Sequence, residues 1–115
     1  MKILKCTENL TMKQRYDLMR NPETERMANH VGETLEIAAY MVREEEKADT
    51  GEVVTVTSIS TKEGVIYATN SATFARELLA IMALGEEMGE PVNRITIAQG
   101  VSKKGREYIT CVLEA

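Results

Sequence analysis

Three cations and one tyrosine lie close together near the carboxyl end of the chain, and their chemistry suits a nucleic acid. Lys103, Lys104 and Arg106 surround Gly105, and Tyr108 follows shortly after them. Exposed cations can contact phosphates, and an aromatic ring beside them can stack on a base. The same residues would also suit a solvated hairpin tip followed by a surface tyrosine, so the pattern leaves both interpretations open.

A second tyrosine, Tyr67, lies on a predicted strand over residues 65–69, and its direction depends on which neighbour faces the core. If Ile66 faces the core, Tyr67 points outward onto a surface where a base could stack. If Val65 faces the core, Tyr67 is itself a core residue. The preceding predicted strand favours the outward orientation, because Thr55 and Thr57 share one polar face there.

Arg43 is a candidate phosphate or stacking contact at the end of a predicted strand over residues 34–42, although most surface arginines have no such role. It opens a segment, 43–52, that is predicted to be an acidic loop: two basic and five acidic residues give a net charge of −3. The whole chain has a net charge of −4 at pH 7, whereas nucleic-acid-binding proteins more often carry a basic excess. An acidic total is nevertheless compatible with a local anion-binding surface.

The residue types that catalysis needs are sparse. The chain has one histidine, His30, and two cysteines, Cys6 and Cys111, at opposite ends. The sequence contains no metal-ligand spacing and no glycine-rich phosphate signature. We therefore expect a non-enzymatic protein without cofactor or metal, whose cysteines are buried thiols in a reducing compartment. The apolar runs are too short for a membrane span or a signal peptide, so a cytoplasmic protein is expected.

The elements that would position these residues are mostly strands. Period-two alternation and turn residues predict strands over 2–6, 34–42, 53–60, 65–69, 92–98 and 106–113, with a loop over 99–105 between the last two. Capping residues and apolar periodicity predict two helices, one over 12–19 capped by Thr11 and one from Ser71 to Gly85 or Gly89. From residue 33 onward this order, βββαββ, is typical of an OB-fold, a small Greek-key barrel. We therefore predict a mainly β (α+β) fold, with an OB-like five-stranded barrel domain over 32–115. Residues 1–31 are expected to form an added N-terminal strand and helix extension on its outside.

Several of these segments resemble the small single-stranded DNA-binding proteins of tailed phages of Gram-positive bacteria, the protein-primed replicators among them. The resemblance covers roughly residues 32–113. It lies in the Val-Thr-rich strand at 56–59, the turn and strand at 63–68, the helix that contains Thr73, and the segment 99–108. The Gln-Gly-x-Ser-x-Lys-Gly loop in the last segment is its most specific part.

The resemblance implies an OB-like protein that coats displaced single strands during phage replication, without catalysis. A family tyrosine that stacks on DNA corresponds to Tyr67, Tyr108 takes the position of a family aromatic, and Lys104 belongs to the basic loop. The family's other stacking tyrosines are not matched here, and one of them falls near Arg43, whose guanidinium could stack on a base. The expected partner is single-stranded DNA in the cytoplasm of the bacterial host. Self-association and contacts with phage or host replication proteins are further expectations.

Two other functions remain open on the sequence alone. A small acidic phage protein could bind a host protein through the acidic loop over 43–52, or an OB-like groove could sequester a nucleotide signal. A salt titration distinguishes the first of these from DNA binding, because affinity for DNA falls steeply with salt through counterion release.

Overall fold

A computed structural model describes residues 1–114 of the chain, and Ala115, the last residue of the predicted barrel domain, lies outside the described part. In chain order the elements are strand β1 (Lys2–Cys6), helix α1 (Met12–Arg20), strand β2 (Glu25–Arg26), a 3-10 turn (Met27–His30), strands β3 (Thr34–Glu46), β4 (Val53–Thr61) and β5 (Ile66–Thr69), helix α2 (Ala72–Met88), and strands β6 (Arg94–Val101) and β7 (Glu107–Glu114). The prediction of a mainly β fold is confirmed.

Both α-helices begin at the predicted caps. The Thr11 hydroxyl accepts a hydrogen bond from the Gln14 amide at 3.1 Å, and the Gln14 side chain accepts one from the Thr11 amide at 2.9 Å, which completes a capping box. The Ser71 hydroxyl accepts from the Phe74 amide at 3.2 Å. Helix α2 ends at Gly89, whose φ of 69° is left-handed and therefore favours glycine. Neither helix, nor any other within residues 1–114, is long and apolar enough to cross a membrane.

Strand β3 is extended in spite of its many helix-favouring residues, as its alternation of large apolar positions predicts. It runs beyond the predicted end at residue 42 and includes Glu44, Glu45 and Glu46, which pair with β4. The prediction of an acidic loop over 43–52 is therefore wrong for residues 43–46, which belong to β3. Only residues 47–52 connect β3 to β4, because the backbone groups of the three glutamates are used in the sheet.

The sheet curls because β3 pairs with different strands along its length. Residues 34–36 pair with β6, whereas the rest of β3 pairs with β4 on one side and, toward its end, with β1 on the other. A register shift between Ile37 and Ala39 accompanies the change, as is usual where a strand bends. Within residues 1–114 the sheet has 7 strands, two more than the predicted barrel, because β1 and β2 join it. The strand order is β2-β5-β4-β3-β6-β7, with β1 beside β3.

Both faces of this sheet are covered where β3 and β4 meet. On the inner face, Phe74 and Leu78 of α2 pack in the main core with Ile59 and Ile97. On the outer face, Leu18 of α1 packs in a second cluster with Ala39 and Met41. Alternate residues of β3 are therefore buried in two different apolar environments.

Part of the N-terminal segment lies inside the main core, which corrects the expectation that all of it packs on the outside. Met27 is fully buried and belongs to the same cluster as Phe74. Strand β2 pairs in parallel with β5, with Glu25 opposite Tyr67. This pairing satisfies the backbone groups of β5 on a side that would otherwise be a bare sheet edge.

Two buried groups predict how stability depends on alkaline pH. Burial, assisted by Glu86 and Cys6, raises the pKa of Tyr40 to about 12, and burial with Glu77 raises the pKa of the Cys111 thiol to about 12. Between pH 9 and 12 the unfolded chain therefore loses these protons while the folded chain keeps them. The free energy of unfolding should fall as pH rises through this range, by up to about 1.4 kcal/mol per pH unit for each group.

Denaturant titrations at pH 8, 10 and 11.5 measure this effect. Tyr40→Phe should flatten the decline above pH 10, whereas Tyr16→Phe, which changes an exposed tyrosine, should leave it as in the unmodified protein. An equal decline in the Tyr40→Phe and unmodified proteins would contradict the assignment of this pH dependence to Tyr40.

Candidate functional site

The connection between β6 and β7 is a tight hairpin. The Gly105 amide donates to the Ser102 carbonyl at 2.9 Å, and the Ser102 amide donates to the Arg106 carbonyl at 2.8 Å. Gly105 has a φ of 80°, which is the left-handed conformation that closes such three-residue loops. The predicted loop over 99–105 is thus shorter than expected, because residues 99–101 belong to β6.

The hairpin tip carries three exposed cations, Lys103, Lys104 and Arg106. None of them forms an ion pair with a carboxylate in residues 1–114. The adjacent acidic residue, Glu107, instead accepts a hydrogen bond from the side chain of Gln99 at 3.1 Å. The tip is therefore a local concentration of positive charge on an acidic protein, and its side chains are free to contact an anion.

Tyr108 lies on β7 directly after this tip and is 36% exposed. It pairs across the ladder with Gly100 of β6. Arg106 belongs to the hairpin connection and precedes Tyr108 by only two residues, so the cation and the ring are close neighbours along the chain. The structure thus brings together four of the six residues that the sequence suggests for nucleic-acid contact, a cationic tip and an exposed ring.

A cleft of about 550 Å³ lies beside the hairpin. Its walls are the segment Arg26–Ala28, the end of β5 with the first turn of α2, and residues 107–109 of β7. The Ser71 hydroxyl donates to the Ile109 carbonyl at 2.6 Å and so joins the start of α2 to β7. The charged residues in the lining are Arg26 and Glu107, and the amino terminus of α2 adds a partial positive charge.

Arg26 is a surface cation that the sequence did not single out. It lies in a short segment without periodicity, and its neighbours in the cleft are far away along the chain. The Ser71 cap did signal the helix start on the opposite wall, but no local pattern indicates that the two walls meet.

Arg43 does not lie on an accessible surface, so the expectation of a phosphate or stacking contact there is wrong. Its side chain is 5% exposed. The guanidinium donates to the Leu18 carbonyl at 3.2 Å, to the Ser58 hydroxyl at 3.0 Å and to a Glu45 carboxylate oxygen at 2.8 Å. These bonds tie helix α1 to strands β3 and β4, which is a structural role.

Tyr67 is a core residue, which corrects the expected outward orientation. It is 9% exposed and belongs to the main core, where its ring meets that of His30 in a T-shaped arrangement with centroids 5.0 Å apart. Ile66 is also buried, but it lies beside residues 21–25 and outside the main core cluster. Thr57, whose polar side chain suggested a solvent-facing surface, is fully buried as well.

The surroundings of Tyr67 are acidic. Burial raises the pKa of Tyr67, and the nearby carboxylates of Glu33, Glu25 and Glu63 raise it further. His30 lies between two of them, 2.5 Å from a Glu33 oxygen and 3.4 Å from a Glu25 oxygen. A base stacked here would bring its phosphates close to these carboxylates, which would repel them.

Comparison with known families gives one finding. A family model described as phage single-stranded DNA-binding protein matches residues 16–114. The match runs from within α1 to the end of β7, so it includes the hairpin and every wall of the cleft. Comparisons with curated proteins and with solved structures yield no match.

Proposed function

Because the chain belongs to the family of phage single-stranded DNA-binding proteins, we propose that it holds the DNA strand on its β6–β7 hairpin and along the cleft beside it. Its function is to bind single-stranded DNA in phage replication. We propose that it does so in the cytoplasm of the bacterial host, by binding alone and without a cofactor. Self-association and contacts with replication proteins would extend this function.

The observation that carries the proposed location is the unpaired charge at the hairpin tip. Lys103, Lys104 and Arg106 are exposed, have no acidic partner in residues 1–114, and lie beside the exposed ring of Tyr108. Cations that follow the backbone and rings that stack on bases are the two components of sequence-tolerant binding to single strands. The cleft supplies Arg26 and the start of α2 on the same side of the fold as the edge of β7.

We further propose that residues 32–115 form an OB-like barrel, with residues 1–31 as its extension. In this assignment β3, β4, β5, α2, β6 and β7 are the five strands and the helix of the barrel. The pairing of β3 with both β4 and β6, and of β6 with β7, supports it. The cleft then lies at the seam between β5 and β7, where strand β2 adds to β5.

Removing the three cations tests the proposed location. The variant Lys103→Ala/Lys104→Ala/Arg106→Ala should bind oligothymidylate more weakly at every salt concentration. The slope of its log affinity against log salt concentration should be smaller in magnitude by up to about 2, since each lost phosphate contact contributes about 0.7 on a single strand. Fluorescence anisotropy between 50 and 300 mM salt measures both quantities.

A matched control removes three exposed cations elsewhere and causes the same change in net charge. Arg15→Ala/Arg20→Ala/Lys62→Ala should keep the original salt slope, because none of these residues lies on the hairpin or in the cleft. An equal loss of DNA affinity in the two variants would mean that net charge alone governs binding. An unchanged slope in the hairpin variant would place the DNA on another surface.

A further inference from the structure

Gly100 and Tyr108 are in unusually close contact across the β6–β7 ladder. A Cβ atom built on Gly100 would overlap the Cζ and Oη atoms of Tyr108 and would lie 2.7 Å from its Cε2 atom. Cζ is bonded to both Oη and Cε2, so a point that is about equally close to all three atoms lies above the ring plane and not in it. The phenol end of the ring therefore lies with its face over the bare backbone of Gly100.

The backbone conformation does not explain why residue 100 is glycine. Gly32, Gly51, Gly64, Gly89 and Gly105 have positive φ angles, but Gly100 does not and lies inside a regular strand. Glycine inside a strand weakens it, and such a residue often marks the close approach of another group. Here that group is the ring of Tyr108, which occupies the space that any other side chain would need.

Because one face of the ring lies against Gly100, the opposite face is the one that a base could approach. Tyr108 is 36% exposed even though one face covers Gly100. The next pair on the same side of the ladder, Ala98 and Thr110, has small side chains. Arg106 lies in the hairpin connection, two residues before Tyr108. A base could lie on the ring while its phosphate reaches the cation, and no large side chain would obstruct it.

We propose that Gly100 is a positioning residue, which holds the ring of Tyr108 flat against the sheet as a stacking platform for one nucleobase. The proposal rests on the proposed function, single-stranded DNA binding through the hairpin. A ring held in one orientation before binding loses less conformational freedom when a base stacks on it. Stacking reads the face of a base and not its edge, so this platform would accept any base.

The test is a double-mutant cycle on oligothymidylate binding. Tyr108→Ala should weaken binding about 5- to 150-fold, the range expected for one stacked base. Gly100→Val should weaken binding by a similar factor in the unmodified protein, because the new side chain displaces the ring. In the Tyr108→Ala background Gly100→Val should have no further effect on binding.

Three further measurements separate a positioning role from other causes. The salt slope should stay unchanged in Gly100→Val, since no phosphate contact is removed, and its melting temperature should not fall. Gly100→Ala provides a smaller side chain and should give an intermediate loss.

Normal binding by Gly100→Val would overturn the proposal. So would a Gly100→Val substitution that lowers the affinity equally in the presence and absence of the Tyr108 ring. So would normal binding by Tyr108→Ala. In each of these cases the unmodified protein still binds with a steep salt dependence, so the proposed function stands. If the unmodified protein shows no affinity for single-stranded DNA, the proposed function itself fails, and this inference fails with it.

Discussion

Tyr67→Ala is expected to lower the free energy of unfolding by about 3–5 kcal/mol, the usual cost of removing a large aromatic side chain from a core. The Tyr67 ring is 9% exposed, packs with the main core and contacts His30 edge to face. Its removal leaves a cavity between β5 and the 3-10 turn. The melting temperature should fall by roughly 10–20 °C, as measured by circular dichroism.

Binding of DNA by Tyr67→Ala should be normal once the fraction of folded protein is taken into account. Tyr67→Phe, which keeps the ring, should stay close to the original stability, and Tyr16→Ala, at a 47% exposed position, should change it little. The contrary result is a Tyr67→Ala protein that melts normally and binds DNA weakly. That result would restore Tyr67 to the DNA-binding surface.

Arg43→Ala should cost about 2–4 kcal/mol of stability, because it leaves the Leu18 carbonyl and the Ser58 hydroxyl without this donor in a buried place. The lost ion pair with Glu45 should contribute less, since the Glu45 side chain is 39% exposed and can be solvated. Urea unfolding at neutral pH measures the change. Arg43→Lys should recover only part of it, since an ammonium group cannot reproduce the planar arrangement of donors.

The salt dependence of DNA binding distinguishes this structural arginine from one that contacts phosphate. Arg43→Ala, assayed where it is folded, should keep the original salt slope, whereas Arg106→Ala should flatten it by about 0.7. A stable Arg43→Ala protein with a flatter slope would show that Arg43 reaches the DNA after all.

Local chemistry was sufficient for much of the fold. The caps at Thr11 and Ser71, the turn at Gly64 and the β-branched run of β4 each depend on residues close together in sequence, so each was predictable. Strand β3 was also predictable from its alternation, although its composition favours a helix. The position of the cations on a hairpin tip followed from the glycines around them.

The directions of Tyr67 and Arg43 were not predictable in this way. Alternation assigns the residues of a strand to two faces, and it distinguishes core from solvent only when one face is exposed. Here helix α1 and residues 21–25 cover the second face, so Ser58 and Arg43 are buried on one side and Thr57 and Tyr67 on the other. The polar side chain of Thr57, taken as a sign of a solvent-facing side, therefore gave the wrong orientation for Tyr67.

The sequence by itself determined most of the helices and strands, the cationic hairpin and the resemblance to phage single-stranded DNA-binding proteins, because each of these depends on neighbouring residues. Strand β2 was not predicted, since it depends on pairing with the distant strand β5. Only the tertiary structure decided which side chains are accessible. In that structure Met27 is buried in the core, Arg43 connects α1 to the sheet by hydrogen bonds, and the ring of Tyr108 lies over Gly100. Those outcomes depend on which distant segments cover each face, and burial of apolar surface across the whole chain sets that arrangement.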